Sequence, residues 1–348
     1  MSVARIDMQA LDAARLHQNN LTKPQGALGS LENIACWFAA RQGNVIPDPL
    51  QAHICVFAGD HGVVDEGVSA FPSVVTGEMV KNFAAGGAAI NVLARQCGAS
   101  LSVVDVGVKS DLSEVKGIVH AKVRAGTGNI VHESAMNEND YQQAIRVGEQ
   151  QAEIAIQQGA NLLIAGDMGI GNTTPSAALI CELALLRPEI VVGRGTGIDD
   201  ATHQLKVATV RKALQRAKDT PFTEVLRELG GLEIAAMAGF YRAAARLGVP
   251  VLIDGFISTA AALAAVAWDA RISGWMLASH ASQEQGHRLA LEALGLQPCI
   301  DFGLRLGEGS GAALLVPLLQ SAIALHRDMA TFESAGITDK DHEATHTD

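Results

Sequence analysis

Two glycine loops carry most of the chemistry this sequence could perform. The first lies in LLIAGDMGIGNTTPSAAL, from Leu162 to Leu179, which passes from an apolar run through Gly166, Asp167, Gly169 and Gly171 into Asn172-Thr173-Thr174-Pro175 and an alanine-rich stretch. That order predicts a buried strand, a glycine turn and a helix. Continuous apolar runs belong to strands covered on both faces, glycine admits positive φ and close approach, and Asn/Thr ahead of Pro marks a helix start. Free N–H groups at such a turn, with the positive end of the helix, suit a phosphate. The spacing matches neither GxGxxG nor GxxxxGK[ST], so a tight strand-to-helix connection without a ligand is an equal reading. The second loop is Leu306-Gly307-Glu308-Gly309-Ser310-Gly311, just ahead of an apolar helix. A glutamate buried beside apolar atoms is pushed toward neutrality and becomes a useful general base; the same place also suits an acid that stabilises a helix N-terminus.

Other residues extend these two. Asp167 would repel a phosphate in its own loop, so it faces either ribose hydroxyls or a second basic group. Gly193-Arg194-Gly195-Thr196-Gly197 is a further glycine loop, and Lys206 beyond it could meet the same phosphate as a point charge, although a lone helical lysine ordinarily faces solvent. Asp60-His61 and the pair His280 and His287 invite a metal reading. The separation of the two histidines misses the zinc spacing, and no cysteine joins them. His342 and His346 fall in a polar tail. No GxSxG or SxxK in a fitting context supports a serine nucleophile.

These residues need a frame. Short apolar runs at 54–58, 101–106, 162–165, 249–253, 274–278 and 299–302, each followed by a polar glycine cluster and helix-like sequence, predict repeated strand–helix units. The fold expected is α/β, a doubly wound, mainly parallel sheet. Right-handed crossovers place all strand C-terminal ends on one edge, and ligands bind at that edge. Ahead of it lies a helical preface with a break at Lys23-Pro24-Gln25-Gly26. Behind it, 311–326 reads as a final helix packed beside the preface, and the segment after Thr331 as a frayed polar tail.

Composition narrows the partners. The 348 residues carry a formal net charge of -11, which argues against nucleic acid and anionic membranes, since both need a basic face. Aromatics make up only 4%, fitting helix-on-sheet packing through small residues. The five cysteines are odd in number and show no CxxC spacing, so neither a disulfide framework nor a zinc site is expected, and a reducing cytoplasm is the natural setting. No signal peptide or membrane span is read.

Six motifs, in order along the chain, give a resemblance. They are Leu21-Thr22-Lys23-Pro24 with Gly26, Leu28-Gly29 and Leu31-Glu32; Ala58-Gly59-Asp60-His61-Gly62-Val63; Gly86-Gly87-Ala88-Ala89-Ile90-Asn91; Met168 to Thr174; Gly193 to Gly197; and Leu306 to Gly311. Together they resemble the nicotinate-nucleotide:dimethylbenzimidazole phosphoribosyltransferases, which make the lower-ligand nucleotide of cobalamin. The resemblance implies a Rossmann-like sheet with a small helical domain formed from both chain ends, and a homodimer. Domain bounds follow as 1–45 for the first part of the small domain, 46–310 for the catalytic domain, 311–332 for a helix joining the small domain, and 333–348 for the tail.

The resemblance also implies a reaction. A ring nitrogen of dimethylbenzimidazole attacks C1′ of nicotinate mononucleotide with inversion, and nicotinate and α-ribazole 5′-phosphate result, without cofactor or metal. Glu308 matches the family's general base, Asp167 stands beside the developing oxocarbenium ion, and Gly169, Gly171, Asn172, Thr173, Gly195, Lys206 and Ser282 contact the nucleotide. Two departures stand out. Asp167 replaces the family's usual Glu, and an acceptor segment often of YPQEVT type reads Phe71-Pro72-Ser73-Val74-Val75-Thr76, followed by Met79. Pro72, Ser73, Val75 and Met79 would then form the base slot, with altered selectivity toward other azoles or purines. A dehydrogenase would need a dinucleotide fingerprint that is missing, whereas a non-enzymatic nucleotide sensor stays open on fold alone.

Overall fold

Strands form where the sequence stays apolar long enough to be buried on both faces. In the computed structural model, which describes residues 2–195 and 197–338, β1 (Ala52–Gly59), β2 (Ser100–Gly107), β3 (Val119–His120), β4 (Leu162–Met168), β5 (Val251–Ile253) and β6 (Met276–Ala278) make one sheet. Every pairing is parallel, and helices cover both faces. All eight residues of the central β1 are buried, as a doubly covered strand requires. The order is β3-β2-β1-β4-β5-β6. The chain therefore builds outward from β1 to β3, returns to place β4 on the other side of β1, and builds outward again. The loops after β1 and β4 leave in opposite senses at that reversal, which opens a crevice at the strand ends.

Small residues let the covering helices come close. A Cβ at Gly148, in helix Glu138–Gln157, would lie 1.7 Å from the Ala236 carbonyl oxygen, and one at Gly239 would lie 2.2 Å from that of Ile145. Backbones thus touch where helix Leu232–Leu247 crosses its neighbour. This is how a chain poor in aromatics reaches a dense interior.

Two compact units divide the chain: Gln51–Leu315 with the first three residues, and Ala4–Leu50 with everything from Val316 onward. The second holds helices Met8–Asn20 and Ser30–Gln42 and the later turns of helix Ser310–Asp328. Its polar centre is His326, fully buried, whose Nε2 is 2.8 Å from the Val45 carbonyl and whose Nδ1 is 2.7 Å from the Gln18 amide nitrogen. Nδ1 therefore accepts and Nε2 donates, which fixes a neutral ring, and burial pushes its pKa down. The break after the first helix is held by Lys23, whose Nζ lies 2.8 Å from Glu32 Oε1.

Two expectations change, and one strand was not expected. The run 299–302 makes only a single parallel bridge, Ile300 to His280, because Pro298 and Gly303 bound too short a segment to extend the ladder. β3 has two residues, too few for any periodicity to reveal. The polar tail starts ordered: Phe332–Ala335 is a helical turn, with Ser334 N–H donating to Thr331 Oγ1 at 3.1 Å and Thr331 N–H to Ser334 Oγ at 2.9 Å. His342 and His346 lie outside the described residues. Among the described residues no helix is long and apolar enough to cross a membrane.

Candidate active site

The glycine loop after β4 folds as a tight turn into helix Thr173–Leu183. Gly171 has φ +87°, and a Cβ at Gly169 would stand 2.4 Å from the Gly59 carbonyl oxygen, so both positions require glycine. Ile170 N–H donates to Thr76 Oγ1 at 3.0 Å, tying the turn to helix Val74–Ala84. Beside it, Lys206 is 2% exposed, its Nζ 2.7 Å from Thr173 Oγ1 and 3.4 Å from the Gly193 carbonyl. Burial pulls its pKa down to about 8, against the opposing pull of Glu284. Gly195, at φ +52°, closes over Thr173 and Lys206. The result is a cup at a helix start with one hydroxyl and one buried cation, in which the Ile170 and Asn172 N–H groups are already bonded, to Thr76 Oγ1 and the Gly169 carbonyl.

Carboxylates gather on the other side. Asp167, the sixth residue of β4, is 6% exposed and accepts from Asn172 Nδ2 at 2.9 Å. Burial raises its pKa to about 8, reinforced by the charges of Asp254, Glu233 and Glu308. Asp254, after β5, accepts from the N–H groups of Ala312 at 2.8 Å and Gly309 at 3.2 Å. Glu308 is buried, and its Oε2 accepts from Ile90 N–H at 3.2 Å, at the start of helix Ala89–Cys97. Its pKa is raised by burial and by Asp254, with the Ile90 N–H acting the other way.

The backbone of this second loop is unusual. Gly307, Glu308 and Gly309 all have positive φ, at +88°, +64° and +87°. For the glutamate this costs about 1–2 kcal/mol. A hydrogen bond from Gly309 N–H to a charged acceptor, about 1.5–3 kcal/mol, offsets it. Gly166 sits beneath: a Cβ there would lie 2.2 Å from the Glu308 carbonyl oxygen. A glycine in a buried strand weakens it unless another backbone comes this close.

Two clefts meet at this place. The larger encloses about 80 Å³ and is lined by Asp167, Asn172, Thr173, Gly195 and Ser282, with His280 and Gly307 also on its wall. The smaller, about 40 Å³, is lined by Gly169, Gly171, Asn172, Thr173, Gly195 and Lys206. Sharing Asn172, Thr173 and Gly195, they form one continuous groove. Glu308 itself lines neither cleft; it follows Gly307, which lines the larger. Pro72, Ser73, Val75 and Met79 line neither cleft; Thr76, in the helix that starts at Val74, accepts a hydrogen bond from the glycine loop.

Several residues take roles that their spacing did not reveal. Lys206 points inward rather than to solvent. The acid at the start of helix Ser310–Asp328 is Asp254, not Glu308, which instead serves a different helix. His61 Nε2 is 2.6 Å from Glu233 Oε1, both essentially unexposed, so that histidine is committed to a carboxylate beneath Gly169. His287 Nδ1 accepts from Ser282 N–H at 2.9 Å, and its Nε2 donates to Thr259 Oγ1 at 3.0 Å. His280 Nδ1 lies 2.9 Å from Ser279 Oγ. Among the described residues no three His, Cys, Asp or Glu side chains converge as metal ligands. Glu233 and Asp254 carried a faint signal: each follows a glycine pair or an apolar strand at the start of a helix.

A groove with a cationic cup at one end and buried carboxylates at the other suits a phosphorylated sugar whose reacting carbon becomes positive. The comparisons with known proteins agree. A family profile described as "Phosphoribosyltransferase" matches residues 3–337. The nicotinate-nucleotide–dimethylbenzimidazole phosphoribosyltransferase of Chromobacterium violaceum is 58% identical over 96% of this chain and 98% of its own, and that of Pseudomonas aeruginosa is 48% identical over 96% of each. A crystal structure of the enzyme of that name from Thermus thermophilus superposes with a TM-score of 0.91 at 44% identity, covering 96% of this chain and all of the other. The chain is an enzyme and belongs to the nicotinate-nucleotide–dimethylbenzimidazole phosphoribosyltransferase family.

Proposed function

We propose that the protein transfers the phosphoribosyl group of nicotinate mononucleotide to dimethylbenzimidazole, giving α-ribazole 5′-phosphate and nicotinate with inversion at C1′. The observation that carries this reading is Glu308: a buried carboxyl, raised in pKa, held between two glycines of which Gly307 lines the cleft beside the Lys206 cup. The 5′-phosphate is read into the cup, where Lys206, Thr173 Oγ1 and the start of helix Thr173–Leu183 face it. One azole nitrogen attacks C1′ as the C1′–N bond to the pyridinium breaks. The bonding pair leaves with nicotinate, whose ring nitrogen becomes neutral without a proton. The other azole nitrogen gives its proton to Glu308. Asp167 is placed to stabilise positive charge as it develops on the ribose. Alignment of two bound reactants supplies much of the rate.

Incubating the protein with nicotinate mononucleotide and dimethylbenzimidazole, without added metal, tests the reading. Released nicotinate equal to the α-ribazole 5′-phosphate formed supports it, and no release would sink it. The homodimer rests on the family resemblance and the cytoplasmic setting on the unpaired cysteines; light scattering in solution tests the first.

A further inference from the structure

Asp254 has no part in the chemistry just described, yet it binds the backbone beside Glu308 and acts electrostatically on both Glu308 and Asp167. It is 1% exposed, and its two oxygens hold the N–H groups of Gly309 and Ala312 on either side of the start of helix Ser310–Asp328. Gly309 directly follows Glu308, the one residue bearing a side chain in a run of left-handed backbone. Such a conformation persists only where the surroundings hold it. β4 supports the turn from below through Gly166, and Asp254 grips it from the side.

We propose that Asp254 is a positioning residue for the transfer reaction: it clamps the Gly307–Gly309 turn that presents Glu308, and its negative charge makes Glu308 a stronger base. This rests on the reading of Glu308 as the base. The charged surroundings are few. Asp254 faces Glu308 from the loop after β5, Asp167 stands near both on β4, and the Ile90 N–H faces Glu308 from the start of helix Ala89–Cys97. Asp254 itself has the backbone donors Gly309, Gly311 and Ala312, and His280, whose Nδ1 is 3.9 Å away. Burial pushes its pKa up, and these donors and His280 act the other way, toward the anion that faces Glu308.

The sign follows. A nearby anion hinders ionisation of Glu308, so removing it lets the base form at lower pH and moves the acid limb of the rate profile down. The test compares pH profiles of kcat/KM for the wild type, Asp254→Asn, Asp254→Ser and Glu308→Gln, with nicotinate mononucleotide binding followed by calorimetry. Serine keeps an oxygen able to cap the helix. Both Asp254 variants are expected to bind nucleotide within about threefold of wild type, to lose roughly tenfold or more in kcat, and to shift the acid limb down by about half a pH unit or more. An unmoved limb, or kcat and affinity falling together, overturns the proposal. Wild-type turnover in Glu308→Gln removes the base reading and this one with it; an inactive Glu308→Gln beside an unmoved Asp254 limb removes only this one. Asp254→Glu, which keeps the charge but displaces the clamp, decides if neither of the other Asp254 variants folds: a lower kcat at unchanged nucleotide affinity supports the proposal, and wild-type kcat overturns it.

Discussion

The two ends of the groove are made of opposite materials. One has Lys206, the Thr173 hydroxyl and the start of helix Thr173–Leu183. The other has Asp167, Asp254 and Glu308, whose hydrogen-bond partners are an asparagine amide and backbone N–H groups. Burial acts on them with opposite sign, drawing Lys206 down to about 8 and pushing Asp167 up to about 8. Neither end holds its charge firmly in the free protein. A donor nucleotide with a phosphate at one end and a pyridinium at the other would supply what each end lacks, and binding would sharpen the ionisation of both.

The comparison breaks most visibly at the carboxylate end. Glu308→Gln is expected to lower turnover by about 10² or more while leaving nucleotide binding within a few-fold, measured by steady-state kinetics and calorimetry. Gly166→Ala comes next. Its methyl would drive into the Glu308 carbonyl, so turnover should fall by roughly tenfold to a hundredfold, with a melting temperature lower by several degrees, since overpacking costs about 1–3 kcal/mol. At the phosphate end, Lys206→Met should weaken nucleotide binding by about tenfold to a hundredfold, the worth of one charged hydrogen bond, and change kcat little. In the wild type, nucleotide affinity should decline as pH rises through about 8, because free Lys206 loses its proton there; affinity still rising across that range would argue that Lys206 does not meet the phosphate. The smallest effect concerns the acceptor. An equimolar mixture of dimethylbenzimidazole, benzimidazole and adenine should give mixed products, given Ser73 and Val75 in the acceptor segment, and a single product would show that those substitutions do not relax selectivity.

Much of this was readable from the chain. Apolar runs followed by glycine clusters located five of the six strands, since a doubly covered strand has a composition that no surface segment shares. The glycine loop after β4 and the pairing of Gly307 with Gly309 were legible because unusual backbone demands an unusual residue. Contacts across the sheet were not. Nothing near Gly166 in sequence says that it seats the Glu308 carbonyl, and nothing near Asp254 says that it caps a helix beginning at Ser310. Lys206 read as an ordinary helical lysine because its burial depends on Gly193 and Thr173, brought to it by other elements. β3 escaped because two residues have no period.

The seat that Gly166 provides also bears on the order in which the protein is made. β4 and the Glu308 turn are far apart along the chain, and their meeting closes the large unit upon its own middle strand. A nascent chain that has reached β6 already possesses every strand and the phosphate cup, yet lacks the turn that completes the acid cluster. Contacts between such distant segments form late in folding. The Glu308 turn therefore joins the acid cluster only after the strands and the phosphate cup have been made.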